Sequence, residues 1–200
     1  MKDPERCRAV FLDLNGTLIL PLLADNPGEY QLIAESIGAV ALLSTAGFVC
    51  PVITVQSRIE KGIYSEADFR EWFESFRAAF AEKGASIVGP YVCPHRNRTP
   101  CACKKPAGLL YQRAAAELAI DLAASFVIGD TREDLEAARG LGCRGILVRT
   151  GWPVGGEVEV LADHVADNVL AAARWILAST GRPNQALHPT AAGAIVRGRG

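Results

Sequence analysis

Ala9-Val10-Phe11-Leu12-Asp13-Leu14-Asn15-Gly16-Thr17-Leu18 joins a short apolar run to a carboxylate and a glycine turn. Four apolar residues in a row, with no polar alternation, suit a strand covered on both faces, as in a parallel sheet. A carboxylate at the carboxyl end of such a strand stands where doubly wound sheets place their ligands. Four further runs of the same kind follow, at residues 52–55, 86–92, 125–128 and 145–148. The stretches between them carry helical periodicity, the alternation expected of a parallel sheet with crossover helices.

The helices are punctuated by their own chemistry. After Ser65, the residues Phe69, Trp72, Phe73, Phe76 and Phe80 recur at i, i+3, i+4, i+7 and i+11. Asp68 completes a capping box with Ser65, and Gly84 stops the helix. That aromatic stripe reads as a core-facing surface. Residues 107–118 and 133–141 form two more predicted helices, the second ended by Gly142, and residues 167–177 a last one capped by Asp167. The uncharged stretch 36–57 is broken by Gly38, Gly47 and Pro51, so it reads as the end of a buried helix, a glycine turn and a strand rather than a membrane span. Residues 16 to about 29, where the first helix is expected near Glu29, and residues 57–65 leave room only for loops. The expected fold is therefore α/β, a Rossmann-like three-layer sandwich on a five-stranded parallel sheet with a minimal cap. Residues 1–178 form its single domain and residues 179–200, which lack periodicity, a disordered tail.

Charge narrows the classes of partner. Among 200 residues, 21 are basic and 22 acidic, a net charge of −1. That balance offers no general electrostatic reason to bind nucleic acid or an anionic membrane. The charged opening Met1-Lys2-Asp3-Pro4-Glu5-Arg6 is not followed by the apolar block of a signal peptide. A soluble, cytoplasmic monomer acting on a small molecule is expected.

The strand ends supply one chemical set. After Asp13 come Thr54-Val55-Gln56-Ser57 at the second strand, with hydroxyl and amide donors. Gly129-Asp130-Thr131-Arg132-Glu133-Asp134 adds acidic metal ligands at the fourth, and Lys105-Pro106 is expected to open a helix whose N-terminus faces an anion. An aspartate nucleophile, hydroxyl donors, a fixed cation and metal-binding carboxylates fit phosphoryl transfer, where the charge of an anionic group must be neutralised. A second signal lies beside it. Cys93-Pro94-His95 and Cys101-Ala102-Cys103 place three thiols and an imidazole within eleven residues. That set closes a tetrahedral structural zinc site with no open position, whereas a Cys101–Cys103 disulfide would close a very small ring. The loop runs straight into Lys104-Lys105 and is expected to hold those lysines toward the substrate. Cys7, Cys50 and Cys143 read as buried thiols.

From Ala9 to Gly151 the chain resembles the haloacid dehalogenase superfamily, in the branch of histidinol phosphatase and heptose-bisphosphate phosphatase. The resemblance implies a nucleophilic Asp13 that becomes a phosphoaspartate, Thr54 binding the transferring phosphoryl, and Lys105 neutralising charge. It implies Mg²⁺ held by Asp13, Asp130 and the backbone carbonyl of Asn15, with Asp134 supporting the metal shell. It places Gln56, Ser57 and Lys104 at the substrate, and a Zn²⁺ knuckle at Cys93, His95, Cys101 and Cys103. The chain departs from the pattern at five places. Asn15 stands where the family's phosphatases carry an acid/base Asp, Val55 replaces an Asn, Arg58 a Gly and Lys104 an Arg, and Ile19-Leu20-Pro21-Leu22-Leu23 replaces an acidic substrate loop. These departures argue against heptose bisphosphate itself as substrate. The expected activity is a Mg²⁺-dependent phosphatase of carbohydrate metabolism, acting on a small sugar or polyol phosphate. Because an amide does not exchange a proton near neutral pH, a catalytically impaired phosphate-binding or regulatory protein and a phosphotransferase stay open as alternatives.

Overall fold

The computed structural model describes residues 6–181. The expectations for the first five residues and for most of the tail lie outside them. Six strands form one parallel sheet: β1 (Val10–Leu12), β4 (Pro51–Val55), β5 (Val88–Cys93), β6 (Phe126–Gly129), β7 (Arg144–Val148) and β8 (His164–Ala166). Their spatial order is β5-β4-β1-β6-β7-β8. The chain fills one side of β1 and then crosses to the other, so the order reverses beside β1, and such a switch point opens a crevice at the carboxyl ends of the strands. Leu12 pairs with Val52 of β4 and with Ile128 of β6. Asp13, Thr54 and Asp130 thereby leave three neighbouring strands at one edge.

The two faces of β1 show why its apolar residues are consecutive. Val10 and Leu12 pack into the core on one face, Ala9 and Phe11 into the core on the other. The first face is covered by α1 (Ser36–Thr45), α2 (Glu66–Ala81) and α6 (Val169–Ser179), the second by α3 (Leu109–Glu117) and α4 (Arg132–Leu141). A short α5 (Gly156–Glu159) packs beside β7 through Val158. Phe69, Phe73, Phe76 and Phe80 are the buried residues of α2, and its Ser65–Asp68 capping box is formed. No helix among the described residues is long and apolar enough to cross a membrane.

Four local expectations are corrected. The sheet has six strands, not five, because the polar-flanked β8 adds an edge strand. The segment expected to carry a helix near Glu29 instead pairs as two antiparallel strands, β2 (Ile19–Leu20) and β3 (Gln31–Leu32), with α1 starting at Ser36. Residues 21–30 thus form a strap between two short strands, closed at its base where Ile33 N–H donates to Leu18 O at 3.0 Å. Asn168, not Asp167, caps α6, its side chain accepting from Ala171 N–H, and the helix runs through Ser179, two residues past the expected Leu177. Lys105-Pro106 does not open α3, whose N-cap is Gly108; Lys105 lies in a turn before it.

Candidate active site and metal centre

Asp13 leaves β1 with its N–H donating to Ile128 O of β6 at 3.0 Å. Gly16, at φ 93°, turns the chain back beneath it. A Cβ there would meet Asp130 Oδ2 at 2.4 Å, and one on Gly151 would meet the same oxygen at 1.8 Å. Asp130 is therefore wedged between two glycine backbones that no other residue could supply. Its Oδ2 accepts from Trp152 N–H at 2.9 Å, while its Oδ1 is buried with no hydrogen-bond partner.

Lys105 is buried with its ammonium between two carboxylates, 2.5 Å from Asp13 Oδ1 and 2.7 Å from Asp134 Oδ1. Asp134 Oδ2 accepts from the Thr131 hydroxyl at 2.5 Å and from its N–H at 3.3 Å, the capping box of α4. Asp134 thus fixes Lys105 through one oxygen and starts a helix through the other. Burial pushes the Asp13 carboxyl up to about 8, opposed by Lys105 and reinforced by Asp134 and Asp130. Burial pushes Asp130 up to about 6, opposed by the Trp152 N–H and reinforced by Asp134. Lys105 is held well above its ordinary value by the two aspartates, against the effect of burial.

Asp13, Asp130 and Asp134 each offer an oxygen within 4.8 Å of the others. Three carboxylates against one ammonium leave an excess of negative charge in a buried place, and the orphaned Asp130 Oδ1 points to the same need. A hard divalent cation with oxygen ligands fits this donor set.

Thr54 is buried, and its hydroxyl oxygen accepts from Gln56 Nε2 at 2.8 Å, which leaves its hydrogen free to be donated. The same Nε2 lies 3.0 Å from Asn15 Oδ1, and Gln56 Oε1 accepts from the Tyr64 hydroxyl at 2.8 Å. Asn15 Nδ2 donates to Pro21 O at 3.0 Å, so the amide clasps the strap to the β1 turn. Gln56 therefore sits behind Thr54 with its amide engaged by three side chains. Ser57 and Lys104 do line the cleft with Asp13, a space of about 1120 Å³. The Lys104 ammonium is turned back onto the carbonyls of Arg96 and Thr99.

The four remaining predicted ligands also converge. Cys93 Sγ is 3.2 Å from Cys103 Sγ and 3.8 Å from Cys101 Sγ. His95 Nδ1 is 3.2 Å from Cys103 Sγ and 3.6 Å from Cys93 Sγ. These separations approach the edges, about 3.8 Å, of a tetrahedron built on metal–sulfur bonds of about 2.3 Å. All three cysteines are free thiols. Burial pushes the Cys93 thiol up to about 12, so a cation is what would make it a thiolate ligand at neutral pH. The set is a Cys/His metal site. Glu60, in the loop after β4, holds this knuckle by accepting from Arg96 N–H and from the Thr99 hydroxyl at 2.8 Å.

Sequence reasoning missed Tyr64, Glu60, Thr131 and the Trp152 N–H. Thr131-x-x-Asp134 was readable as a capping box; the other three carry no pattern of their own.

An aspartate at the switch point of a parallel sheet, ion-paired to a buried lysine with two further aspartates beside it, defines a class, and the chain belongs to the haloacid dehalogenase-like hydrolases. It is a phosphatase of that type, a hydrolase of phosphoric monoesters. The HAD-hydrolase-like family model matches residues 102–172. The D-glycero-beta-D-manno-heptose-1,7-bisphosphate 7-phosphatase of Haemophilus influenzae is 34% identical over 171 residues, covering 82% of this chain and 93% of that protein. The enzyme of the same name from Escherichia coli K12 is 34% identical, covering 80% and 89%. The D,D-heptose 1.7-bisphosphate phosphatase of B. bronchiseptica, solved with magnesium and phosphate, superposes with a TM-score of 0.74 at 27% identity, over 86% of this chain and 99% of that one.

Proposed function

We propose that the chain hydrolyses a small phosphomonoester through a phosphoaspartate on Asp13. The observation that carries this reading is the buried Asp13–Lys105–Asp134 ion-pair chain at the sheet's switch point. Asp13 Oδ attacks phosphorus, Lys105 neutralises charge on nucleophile and phosphoryl oxygens, and the Thr54 hydroxyl donates to one of those oxygens. Mg²⁺ on Asp13 and Asp130, with the backbone carbonyl of Asn15 and support from Asp134, would supply Lewis-acid neutralisation of the phosphoryl charge. The Cys93, His95, Cys101 and Cys103 set suits Zn²⁺ in a structural role, holding the loop that carries Lys104 and Lys105. Ser57 and Lys104 stand on the cleft wall where an ester would lie, and Gln56 acts through Thr54. The names of the relatives support a sugar or polyol phosphate as one candidate ester.

Asn15 favours a second reading, a phosphotransferase, because a phosphoaspartate without a base to activate water can pass its group to another acceptor. Turnover of a phosphorylated metabolite panel with Mg²⁺, beside an Asp13→Asn control, tests the main reading. Phosphate release well above that control is expected, and release equal to it removes the hydrolase reading for this site.

A further inference from the structure

The mouth of the cleft is not uniformly polar. Trp152, in the turn after β7, and Leu22 and Leu23, in the strap after β2, line it with the catalytic carboxylates. Trp152 is 49% exposed and Leu23 55%. The Trp152 backbone and the Leu22 side chain are fixed beside the carboxylates. The Trp152 N–H is bonded to Asp130 Oδ2 at 2.9 Å. The position that a Cβ on Gly16 would take lies 2.4 Å from that same oxygen and 2.9 Å from Leu22 Cδ2, so Leu22 packs beside it over the turn of Asp13. The Thr150 hydroxyl ties the turn after β7 to the turn after β1 by donating to Gly16 O at 2.6 Å. Large apolar side chains anchored beside reacting groups gain most from a ligand that presents an apolar face, whereas hydroxyls buried against them would lose water without a partner.

Asn15 gives an independent constraint on the same ester. In the first step a bond forms between Asp13 Oδ and phosphorus, and the ester P–O bond breaks with its electron pair leaving on the ester oxygen. An alkoxide needs a proton at that moment, which the Asn15 amide, donating to Pro21 O, does not supply. A phenolic oxygen, with a pKa near 10, carries the pair away as the aryl oxide. In the second step a water oxygen attacks phosphorus, the P–O bond to Asp13 breaks with its pair returning to the carboxylate, and phosphate and a proton pass to solvent.

We infer that the preferred substrate is an aryl phosphate whose ring lies against Trp152, Leu22 and Leu23. This rests on Asp13 being the nucleophile, and the test separates the two claims. The full chain with Mg²⁺ is assayed on phenyl phosphate, 1-naphthyl phosphate, glycerol 3-phosphate and glucose 6-phosphate, with Asp13→Asn, Trp152→Ala and Leu23→Ser beside it. Phenol and naphthol are comparable leaving groups, so their difference reads the apolar wall. Expected are an aryl kcat/KM above the polyol values by about a hundredfold, and a naphthyl-over-phenyl preference of roughly tenfold that Trp152→Ala abolishes. Trp152→Ala keeps the backbone N–H that holds Asp130. Polyol esters turned over as well as aryl esters, or a naphthyl preference surviving both wall substitutions, would overturn the inference and leave Asp13 hydrolysis standing. Release equal to Asp13→Asn on every ester would instead overturn the nucleophile.

Discussion

At position 15 the amide has acquired work that a carboxylate does badly. Asn15 Nδ2 donates to Pro21 O and Oδ1 lies by Gln56 Nε2, so the side chain joins the β1 turn, β4 and the strap. Asn15→Asp restores a general acid, a group worth about 10²–10⁴-fold, but sets an acceptor against Pro21 O. We expect at least about tenfold faster turnover of alkyl phosphates together with a loss of about 1 kcal/mol in stability. Steady-state rates beside thermal melts check both, and unchanged rates would mean that another group carries the proton. Tyr64→Phe tests the far end of the chain. Without its hydroxyl, Gln56 is free to rotate and no longer fixes the Thr54 hydroxyl. A kcat lowered roughly three- to tenfold with KM little changed is expected, since one neutral hydrogen bond is worth about 1 kcal/mol. A pure KM effect would place Tyr64 at the substrate. Asp13, Thr54 and Asp130 were legible in the sequence because each stands at the carboxyl end of a strand, and Lys105 because it follows directly on the cysteine-rich loop. The Tyr64–Gln56 relay was not, because nothing in a lone tyrosine marks which amide it will meet.

Among the elements, the Cys/His knuckle is the one whose stability is expected to rest on a bound metal ion. It follows β5, supplies Lys104 and Lys105 to the cleft, and is held on the outside by Glu60. Protein purified without added zinc is expected to hold about one tightly bound zinc per chain, measured by metal analysis. Cys103→Ser should lower that content and weaken substrate binding while the sheet stays folded. Zinc-free protein with an unchanged melting temperature would remove the structural role. The knuckle was readable because four ligand-type residues crowd eleven positions. The β2–β3 pair was not: two residues in each strand give no period, and the apolar run 19–23 looks the same in a loop as in a strand. β8 escaped for the same reason, being three residues long and only partly buried. The cap of α6 was misplaced by one residue because Asp167 and Asn168 are equally good caps by type, and only the backbone decides between them.

Across the whole molecule, the parallel sheet gathers three carboxylates and one ammonium into one buried place, and this couples metal, protons and stability. Asp13 is raised to about 8 and Asp130 to about 6, both from 3.8, with burial the largest cause in each. A carboxylate raised on folding binds more protons in the native than in the unfolded state between those two values. Stability then falls as pH rises through that window, and is fully present only below about pH 4 as far as these two groups are concerned. Lys105, raised above its ordinary value by the same aspartates, stays charged in both states throughout this window, so its own contribution there does not change with pH. A divalent cation needs the deprotonated carboxylates, so its binding must displace the protons. Mg²⁺ affinity is therefore expected to rise by roughly tenfold per pH unit between pH 6 and 8, where the proton displaced is mainly that of Asp13. Calorimetric titration in two buffers of different ionisation enthalpy measures that proton directly. Melting curves give the other half: the metal-free chain should lose stability from pH 5 to 8, and saturating Mg²⁺ should flatten the slope, because binding adds RT ln(1 + [Mg²⁺]/Kd) and Kd itself falls with pH. A pH-independent Mg²⁺ affinity would show that the cation binds away from Asp13 and Asp130, and the nucleophile would then face its phosphate with Lys105 as its fixed countercharge.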